Sequence, residues 1–335
     1  MFKILYSSML KGDIADFYLG MIKSAIEKSG HECRLVSGMD DIEKTDIVVT
    51  TTVLDALKVI VLKRARFINW YQGIIPEESY LRHKSRVREK IYDILESLTL
   101  KYSSLNIFVS HSMLEHYRNK YGYKRDNYFI LPCFSTNINR ESFMHPAKYS
   151  NHIYAYVGGL SKWQCIDTIL KVYKIIEEEC AEARLKIFTE EIDRAEALAK
   201  ETGLKSYSIK YVKNDDLPNE LTGVKYGFLL REHSPINYVA TPTKMSVYMS
   251  NGIIPIMSDA IGDFNKAFKD IQNKIIINIE DDCGKTAKSI IEFDNTEVNP
   301  EDILNEYEKV FNTYYCREQY ENNLNELLLN TFVKK

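Results

Sequence analysis

Residues 226–258, YGFLLREHSPINYVATPTKMSVYMSNGIIPIMS, contain two short apolar runs separated by a polar loop and a helical segment. The two runs predict buried neighbouring strands of a parallel sheet, because strands covered on both faces are continuously apolar. Between them, Thr241 is expected to cap a helix whose first position is Pro242, a residue with no N–H to leave unpaired. A strand, loop, helix and strand in this order indicate an α/β fold.

The start of the predicted helix is a candidate phosphate site. Free N–H groups and a partial positive charge attract anions to helix N-termini. Arg231, at the end of the preceding strand, and Lys244, in the first helical turn, add two cations there. An ordinary βαβ unit with solvated charges fits the same spacing, so both interpretations stay open at this point.

The chain has 335 residues, of which 45% are hydrophobic and 27% charged, as is typical of a globular protein. This length exceeds one ordinary hydrophobic core and predicts two domains. The six cysteines are scattered without a C-x-x-C pair, which favours a reduced, cytoplasmic protein. Because no stretch reaches the roughly 18 apolar residues of a membrane span, we expect a soluble protein or one peripheral on the inner face of the cell membrane.

Short apolar runs alternate with helical patterns along the chain, which predicts doubly wound parallel sheets. In the first half, one long helix is predicted over Tyr80–Tyr102. The alternation stops in Phe134–Asn151, which we interpret as an interdomain linker, and then starts again. Two Rossmann-like domains, residues 1–145 and 150–317, are therefore expected to face a central cleft.

Charge is distributed unequally between the two halves. Residues 1–150 hold 22 Lys and Arg against 17 Asp and Glu, whereas the remainder holds 22 against 30. The densest basic run is RHKSRVREK, residues 82–90. It is consistent with a solvated helix face or with contact to an anionic membrane. Nucleic acid is not expected as a partner, because no recognised binding motif accompanies the charge.

A second candidate turn follows the first predicted strand of the second half, where residues 158–164 read GGLSKWQ. Gly158 and Gly159 let the backbone turn sharply and approach a ligand closely. Lys162 then lies where a phosphate could be met. The stretch matches neither the dinucleotide fingerprint G-x-G-x-x-G nor the P-loop, and a plain tight turn explains it equally well.

Together, the GGLSK turn and the later Arg…Pro-Thr-Lys helix resemble the donor domain of family 4 retaining glycosyltransferases, which have the GT-B fold. Tyr211-Val212-Lys213 resembles the strand end that meets the nucleobase in that family, and residues 217–221, LPNEL, resemble the helix after it. Residues 69–79, NWYQGIIPEES, and 108–113, FVSHSM, resemble stretches of capsule and surface-polysaccharide members.

The resemblance implies a GT-B protein whose last helix, residues 318–335, packs back on the N-terminal domain. It implies transfer of a sugar from a nucleotide diphosphate, UDP rather than GDP, to a glycan or lipid-linked acceptor in bacterial surface polysaccharide synthesis. It also implies retention of the anomeric configuration and turnover without a metal ion or other cofactor.

The resemblance also assigns residues to roles. Lys162 and Arg231 would be catalytic, since fixed cations stabilise a departing diphosphate. The donor site would comprise Gly158, Gly159, Ser161, Lys162, Tyr211, Val212, Lys213, Leu217, Arg231, Asn237, Thr241, Pro242, Thr243, Lys244 and Tyr248. The acceptor site would comprise Ser8, Lys11, Gly12, Gln72 and Gly73.

One departure from the family pattern concerns the ribose contact. The family commonly carries E-x7-E across this helix, and here the two positions are Val239 and Val247. Valine cannot accept those hydrogen bonds, so Glu232, Asn237 or Tyr248 is expected to compensate.

Two other functions stay open. A non-catalytic glycosyltransferase-like subunit that supports an active partner is consistent with the two missing glutamates. A sugar-nucleotide epimerase would use the same cleft, but we identify no facing set of carboxylates and histidines for it.

Overall fold

The computed structural model describes residues 1–6, 13–134 and 137–332, apart from the side chains of residues 13 and 14. The chain divides into two compact units. Unit 1 comprises Met1–Cys133, Val239–Thr241 and Cys316–Lys335, and unit 2 comprises Phe134–Tyr238 and Pro242–Tyr315.

Unit 1 is built on a six-stranded parallel sheet in the order β2-β1-β3-β4-β5-β6. Its strands are β1 Phe2–Leu5, β2 Cys33–Val36, β3 Ile47–Thr50, β4 Arg66–Tyr71, β5 Leu105–Phe108 and β6 Tyr128–Ile130. Its first five helices are α1 Asp13–Lys28, α2 Val53–Lys58, α3 Ile75–His83, α4 Arg86–Tyr102 and α5 His111–Tyr121. A π-helical turn, Val59–Lys63, continues α2.

Unit 2 contains a second six-stranded parallel sheet, in the order β12-β11-β10-β7-β8-β9. Its strands are β7 Ile153–Val157, β8 Arg184–Phe188, β9 Tyr207–Lys210, β10 Tyr226–Leu229, β11 Ile254–Ser258 and β12 Ile275–Ile277. Its helices are α6 Arg140–Phe143, α7 Ile166–Glu179, α8 Ile192–Thr202, α9 Leu217–Leu221, α10 Pro235–Val239, α11 Lys244–Ser250, α12 Gly262–Ala267, α13 Cys283–Asp294 and α14 Pro300–Thr313. The predicted α/β class with parallel sheets is thereby confirmed.

The last helix, α15 Arg317–Phe332, belongs to unit 1 and packs against α1. A carboxylate oxygen of Glu321 accepts from Ser24 Oγ and Lys28 Nζ, both at 2.9 Å. The Arg66 guanidinium lies 4.5 Å from the Phe332 ring centroid. Among the described residues, no helix is long and apolar enough to cross a membrane.

The two apolar runs of residues 226–258 form neighbouring buried strands, as predicted. β10 and β11 pair in parallel with Tyr226 opposite Ile254. Gly227 lies under the Tyr248 ring, and a Cβ at this glycine would be 2.7 Å from that ring. The absence of a side chain at Gly227 therefore allows α11 to pack directly on β10.

The predicted start of α11, with Thr241 as the cap and Pro242 as the first residue, is wrong. α11 begins at Lys244, with Thr243 at the N-cap position, so Thr241 and Pro242 precede it. The Thr241 hydroxyl instead donates to the Val109 carbonyl at 3.3 Å and accepts from the Cys133 N–H at 3.0 Å. The capping side chain is therefore engaged by the backbone of unit 1, which local sequence does not reveal.

The predicted single helix over Tyr80–Tyr102 is also wrong, because α3 and α4 are separate. Lys84 has a φ of 52°, in the left-handed region, which ends α3. Ser85 then accepts from the Arg88 N–H at 3.4 Å and caps α4. A serine N-cap inside a continuous basic run is thus enough to start a new helix.

The described residues of the segment 134–151 do not form the linker that we expected, because residues 137–151 pack into unit 2. Phe143 is fully buried and Lys148 is 1% exposed. Lys148 Nζ donates to Ser142 Oγ and to the carbonyls of Thr222 and Asn251, at 2.6–3.1 Å. The division between the units therefore falls at Cys133 and Phe134, and the segment lacks a sequence period because short turns bury it.

Candidate functional site

The candidate site lies where the strand order of unit 2 reverses. β7 and β10 are neighbours in the sheet, and their connections lead away in opposite directions, to β8 and β11. Open α/β sheets bind ligands at the carboxyl ends of two such strands. Gly158 directly follows β7, and Arg231 lies two residues beyond β10.

The turn after β7 requires glycine at Gly158. Its φ is +121°, and a Cβ there would lie 3.4 Å from Lys244 Nζ. The Gly158 N–H donates to the Phe188 carbonyl at 2.9 Å, and the Leu160 N–H donates to Glu191 Oε1 at 2.7 Å. The turn is therefore held from the β8 side, and the missing side chain leaves room beside a cation.

Lys244 is the best buried of the three lysines predicted for the donor site, with 9% of the residue exposed. Its Nζ donates to Gln164 Oε1 at 2.7 Å and lies 4.2 Å from the Tyr156 ring centroid. Burial, together with the charge of Arg231, holds the pKa of Lys244 well below its usual range. Lys162, in contrast, is exposed at the start of a short 3-10 turn.

Arg231 is the second buried cation, with 7% of the residue exposed. Its Nη1 donates to the Trp163 carbonyl at 3.3 Å, one residue from the partner of Lys244. The Ser258 hydroxyl accepts from the Arg231 N–H at 2.8 Å, which anchors the backbone to β11. Burial lowers the pKa of the Arg231 guanidinium.

Neither cation has a carboxylate to neutralise it in the described part of the chain. The ionisable groups that act on Lys244 are Arg231 and Cys165, and those that act on Arg231 are two tyrosines and the same cysteine. Burying a cation without an anion is costly, and a bound anion removes that cost. The arrangement is therefore suited to a ligand with several negative oxygens.

A cavity of about 260 Å³ opens beside the glycine turn. Five predicted donor-site residues line it: Gly158, Gly159, Tyr211, Val212 and Leu217. Lys213 instead lines an adjoining open groove together with Tyr211. The loops after β7 and β9, distant in sequence, thus share one cavity because their strands flank β8.

Glu191 is a residue of this cavity that sequence reasoning missed. It follows β8, and its carboxylate accepts from the Leu160 N–H and pairs with Arg194 at 3.0 Å. The Leu160 N–H and Arg194 both lower the pKa of Glu191, so this carboxylate is ionised at neutral pH. Its position after a predicted strand was the only signal, and its pairing with the glycine turn requires the sheet order.

Several predicted donor-site residues serve the fold where they lie. Tyr248 is fully buried; its hydroxyl accepts from the Val157 N–H and donates to the Phe228 carbonyl, each at 3.1 Å. It therefore joins β7 to β10. Asn237, which is 1% exposed, donates to the Glu232 carbonyl at 2.8 Å and closes the loop after β10.

The two valines at the positions of the family glutamates differ in environment. Val239 is buried, and its carbonyl accepts from Ser110 Oγ at 2.6 Å, whereas Val247 is half-buried on α11. Glu232 is half-buried and close enough to Cys165 to act on its pKa. Ser161 and Thr243 are also half-buried. No described cluster of His, Cys, Asp and Glu could hold a metal ion.

Of the predicted acceptor residues, Ser8, Lys11 and Gly12 lie outside the described part of the chain. Gln72 is exposed directly after β4. Gly73 beside it is closed over by Glu78, since a Cβ at this glycine would lie 2.0 Å from Glu78 Oε1.

Solved structures show which fold this is. No family model and no curated protein matches the chain. HepE of Anabaena in complex with UDP matches with a TM-score of 0.70 and 11% identity, over 98% of this chain and 99% of that one. The lipopolysaccharide outer core galactosyltransferase WaaB matches with a TM-score of 0.69 and 12% identity, over 99% and 100%.

A mutant of S. aureus TarM, in complex with Fondaparinux, alpha-GlcNAc-glycerol and UDP, matches with a TM-score of 0.64 and 14% identity. The match covers 88% of this chain but only 57% of TarM, so the chain spans little more than half of that protein. At these identities the likeness concerns the fold. The chain has the GT-B fold, as predicted.

Proposed function

We propose that this chain is a glycosyltransferase that moves a sugar from a UDP-linked donor to a glycan or lipid-linked acceptor. The observation that carries the proposal is the pair of buried cations, Arg231 and Lys244, left without a carboxylate at the switch point of the unit 2 sheet. A pyrophosphate carries negative charge that would neutralise the two cations and several oxygens that would accept their remaining hydrogen bonds.

The proposed mechanism is stabilisation of the leaving group. As the bond between the anomeric carbon and the diphosphate breaks, negative charge grows on the diphosphate oxygens. Arg231 and Lys244 are fixed by Trp163 and Gln164, so they stabilise this charge without reorganising. Lys162, exposed one residue before Trp163, would add a third cation from the solvent side.

The nucleoside is proposed to occupy the cavity lined by Tyr211, Val212 and Leu217. The UDP in the solved HepE and TarM complexes supports uridine as the nucleoside. Membership of family 4, retention of configuration, a cytoplasmic setting and a surface polysaccharide as product belong to the same proposal, and the WaaB likeness supports the last of them.

A second candidate is a non-catalytic subunit that supports an active partner. Val239 and Val247, in place of the family glutamates, favour it. Such a subunit needs the fold but not the nucleotide.

Calorimetry separates the two candidates. The glycosyltransferase should bind UDP more tightly than GDP, and Arg231→Met should weaken UDP binding about 10²-fold, since a charged hydrogen bond contributes roughly 1.5–3 kcal/mol. Slow release of sugar from UDP-glucose, UDP-galactose or UDP-N-acetylglucosamine, followed by mass spectrometry, would identify the donor. No binding at millimolar UDP or GDP would exclude the glycosyltransferase and favour the subunit.

A further inference from the structure

Helix α4 of unit 1 carries an apolar stripe that faces solvent. Val87, Ile91, Ile94 and Leu98 are 70%, 51%, 61% and 36% exposed. Their spacing of four, three and four residues places them on one side of the helix. The opposite side supplies the buried residues of α4, Glu96, Thr99 and Leu100. The stripe is therefore additional to the face that packs on the core.

The neighbouring helix α2 also exposes apolar side chains. α2 packs against α4, and it exposes Leu54, while its π-helical continuation exposes Val61 at 69% and Leu62 at 65%. More than half of the large exposed apolar side chains of the described residues lie between positions 54 and 102. Such a concentration marks an interaction site, whereas single exposed apolar residues do not.

Positive charge is in excess on this surface. Within residues 54–102, every exposed charged side chain is a cation, and the carboxylates are half-buried or buried. Asp55, Glu78 and Glu89 are also paired with lysine or arginine. The exposed cations are Lys58, Arg64, Arg66, Arg82, Lys84, Arg86, Arg88, Lys90 and Lys101.

We propose that unit 1 docks on an anionic lipid membrane through α4 and α2. An amphipathic helix that binds a membrane lies in the interface, with its apolar side towards the acyl chains and its lysines and arginines among the head groups. The α4 stripe provides the apolar side, and the surrounding cations provide the contacts with the head groups. This proposal is independent of the sugar-transfer proposal.

The charge pattern disfavours a second copy of this chain as the occupant. A two-fold contact through α4 would bring the two basic surrounds against each other, and like charges repel. Anionic head groups neutralise all these cations together. A negatively charged membrane is therefore the occupant that satisfies both the apolar stripe and the charge.

Vesicle flotation with the full-length protein tests the proposal. The protein should float with phosphatidylcholine vesicles containing 30% phosphatidylglycerol and stay behind with pure phosphatidylcholine, and high salt should release it. Each basic residue at an anionic surface contributes about fivefold in partitioning. The pair Arg88→Glu and Lys90→Glu should therefore reduce partitioning more than 20-fold. Lys171→Glu, at an exposed position of α7 in unit 2, is the control.

The apolar stripe is tested by the pair Ile91→Ser and Ile94→Ser, with Ile276→Ser as an exposed control on β12. We expect about a tenfold loss of partitioning for the stripe pair and none for the control, with unchanged UDP binding. Equal binding to neutral and anionic vesicles, or no binding at all, would overturn the proposal. So would a dimer in sedimentation that the stripe pair abolishes, because the occupant would then be a second copy.

Discussion

Unit 1 and unit 2 each bury ionisable side chains, but they compensate the charges differently. In unit 1, Glu96 is fully buried and accepts from the hydroxyls of Tyr117 and Tyr121 and from the Ile75 N–H, at 2.9–3.3 Å. Burial raises the pKa of Glu96 to about 8, so the carboxyl is mainly protonated at neutral pH. In unit 2, the side chains of Arg231 and Lys244 are buried, and each has one hydrogen-bond acceptor among the described residues.

Lys148 shows how unit 2 treats a lysine that serves the fold. Its ammonium donates to three oxygens, which matches the three protons of that group. Burial lowers the pKa of Lys148 to about 7, yet every donor has an acceptor within the unit. The ammonium group of Lys244 has one acceptor and one aromatic face, so its hydrogen-bonding capacity is only partly used. A buried ionisable group whose hydrogen bonds are all made within the protein stabilises the fold. A buried ionisable group with unused hydrogen-bonding capacity indicates a ligand.

The largest expected effect comes from exchanging these two lysines for methionine. Lys244→Met should weaken UDP binding about 10²-fold and leave the free energy of unfolding unchanged or raised by about 1–2 kcal/mol, because an uncompensated buried cation is removed. Lys148→Met should do the reverse, with UDP binding retained and about 2–4 kcal/mol of stability lost through three unpaired acceptors.

Calorimetry with UDP and urea unfolding measure the two quantities on both variants. If Lys244→Met destabilises the protein as strongly as Lys148→Met does, the proposed difference between the two lysines is wrong.

The raised pKa of Glu96 predicts that the free energy of unfolding depends on pH. Between the ordinary glutamate pKa of 4.5 and about 8, the folded state holds a proton that the unfolded chain has released. The Glu96 contribution to the free energy of unfolding therefore falls by about 1.4 kcal/mol per pH unit as the pH rises through this window. Glu96→Gln imitates the protonated acid, so its advantage over the unmodified protein should grow from pH 5 to pH 8.5.

Thermal unfolding across that pH range measures the difference. Glu115→Gln, on the exposed side of α5, is the control and should track the unmodified protein. A difference between Glu96→Gln and the unmodified protein that stays constant with pH would mean that the Glu96 carboxylate is charged inside unit 1.

The smallest effect concerns the glycine turn. Gly158→Ala forces a side chain into a positive φ beside Lys244, which should cost about 1–3 kcal/mol of stability and weaken UDP binding severalfold. Gly223→Ala has no such φ, and its nearest contact would be 3.8 Å, so it should change stability by less than about 0.5 kcal/mol. Equal stabilities of the two variants, measured in urea, would contradict the strained turn.

Local patterns predicted the elements of this fold well where each residue's role is local. The alternation of apolar runs and helical patterns predicted two parallel sheets, and both are present. Gly30 and Gly122, both with positive φ, follow the ends of α1 and α5. The prediction failed where a distant partner decides. The Thr241 hydroxyl donates to the Val109 carbonyl of unit 1 instead of capping α11, and residues 137–151 pack against the rest of unit 2.

The sequence alone determined the α/β class, the glycine turn with Lys162, the loop with Arg231 and Lys244, and the resemblance to sugar transferases, because strand and turn preferences act within a few residues. The tertiary structure decided which cation is buried. Residue type alone does not distinguish Lys162 from Lys244, but only Lys244 is enclosed by Tyr156, Gln164 and Gly158. Burial and electrostatic neighbours depend on strand order, which brings loops from β7, β8 and β10 together across many residues of sequence.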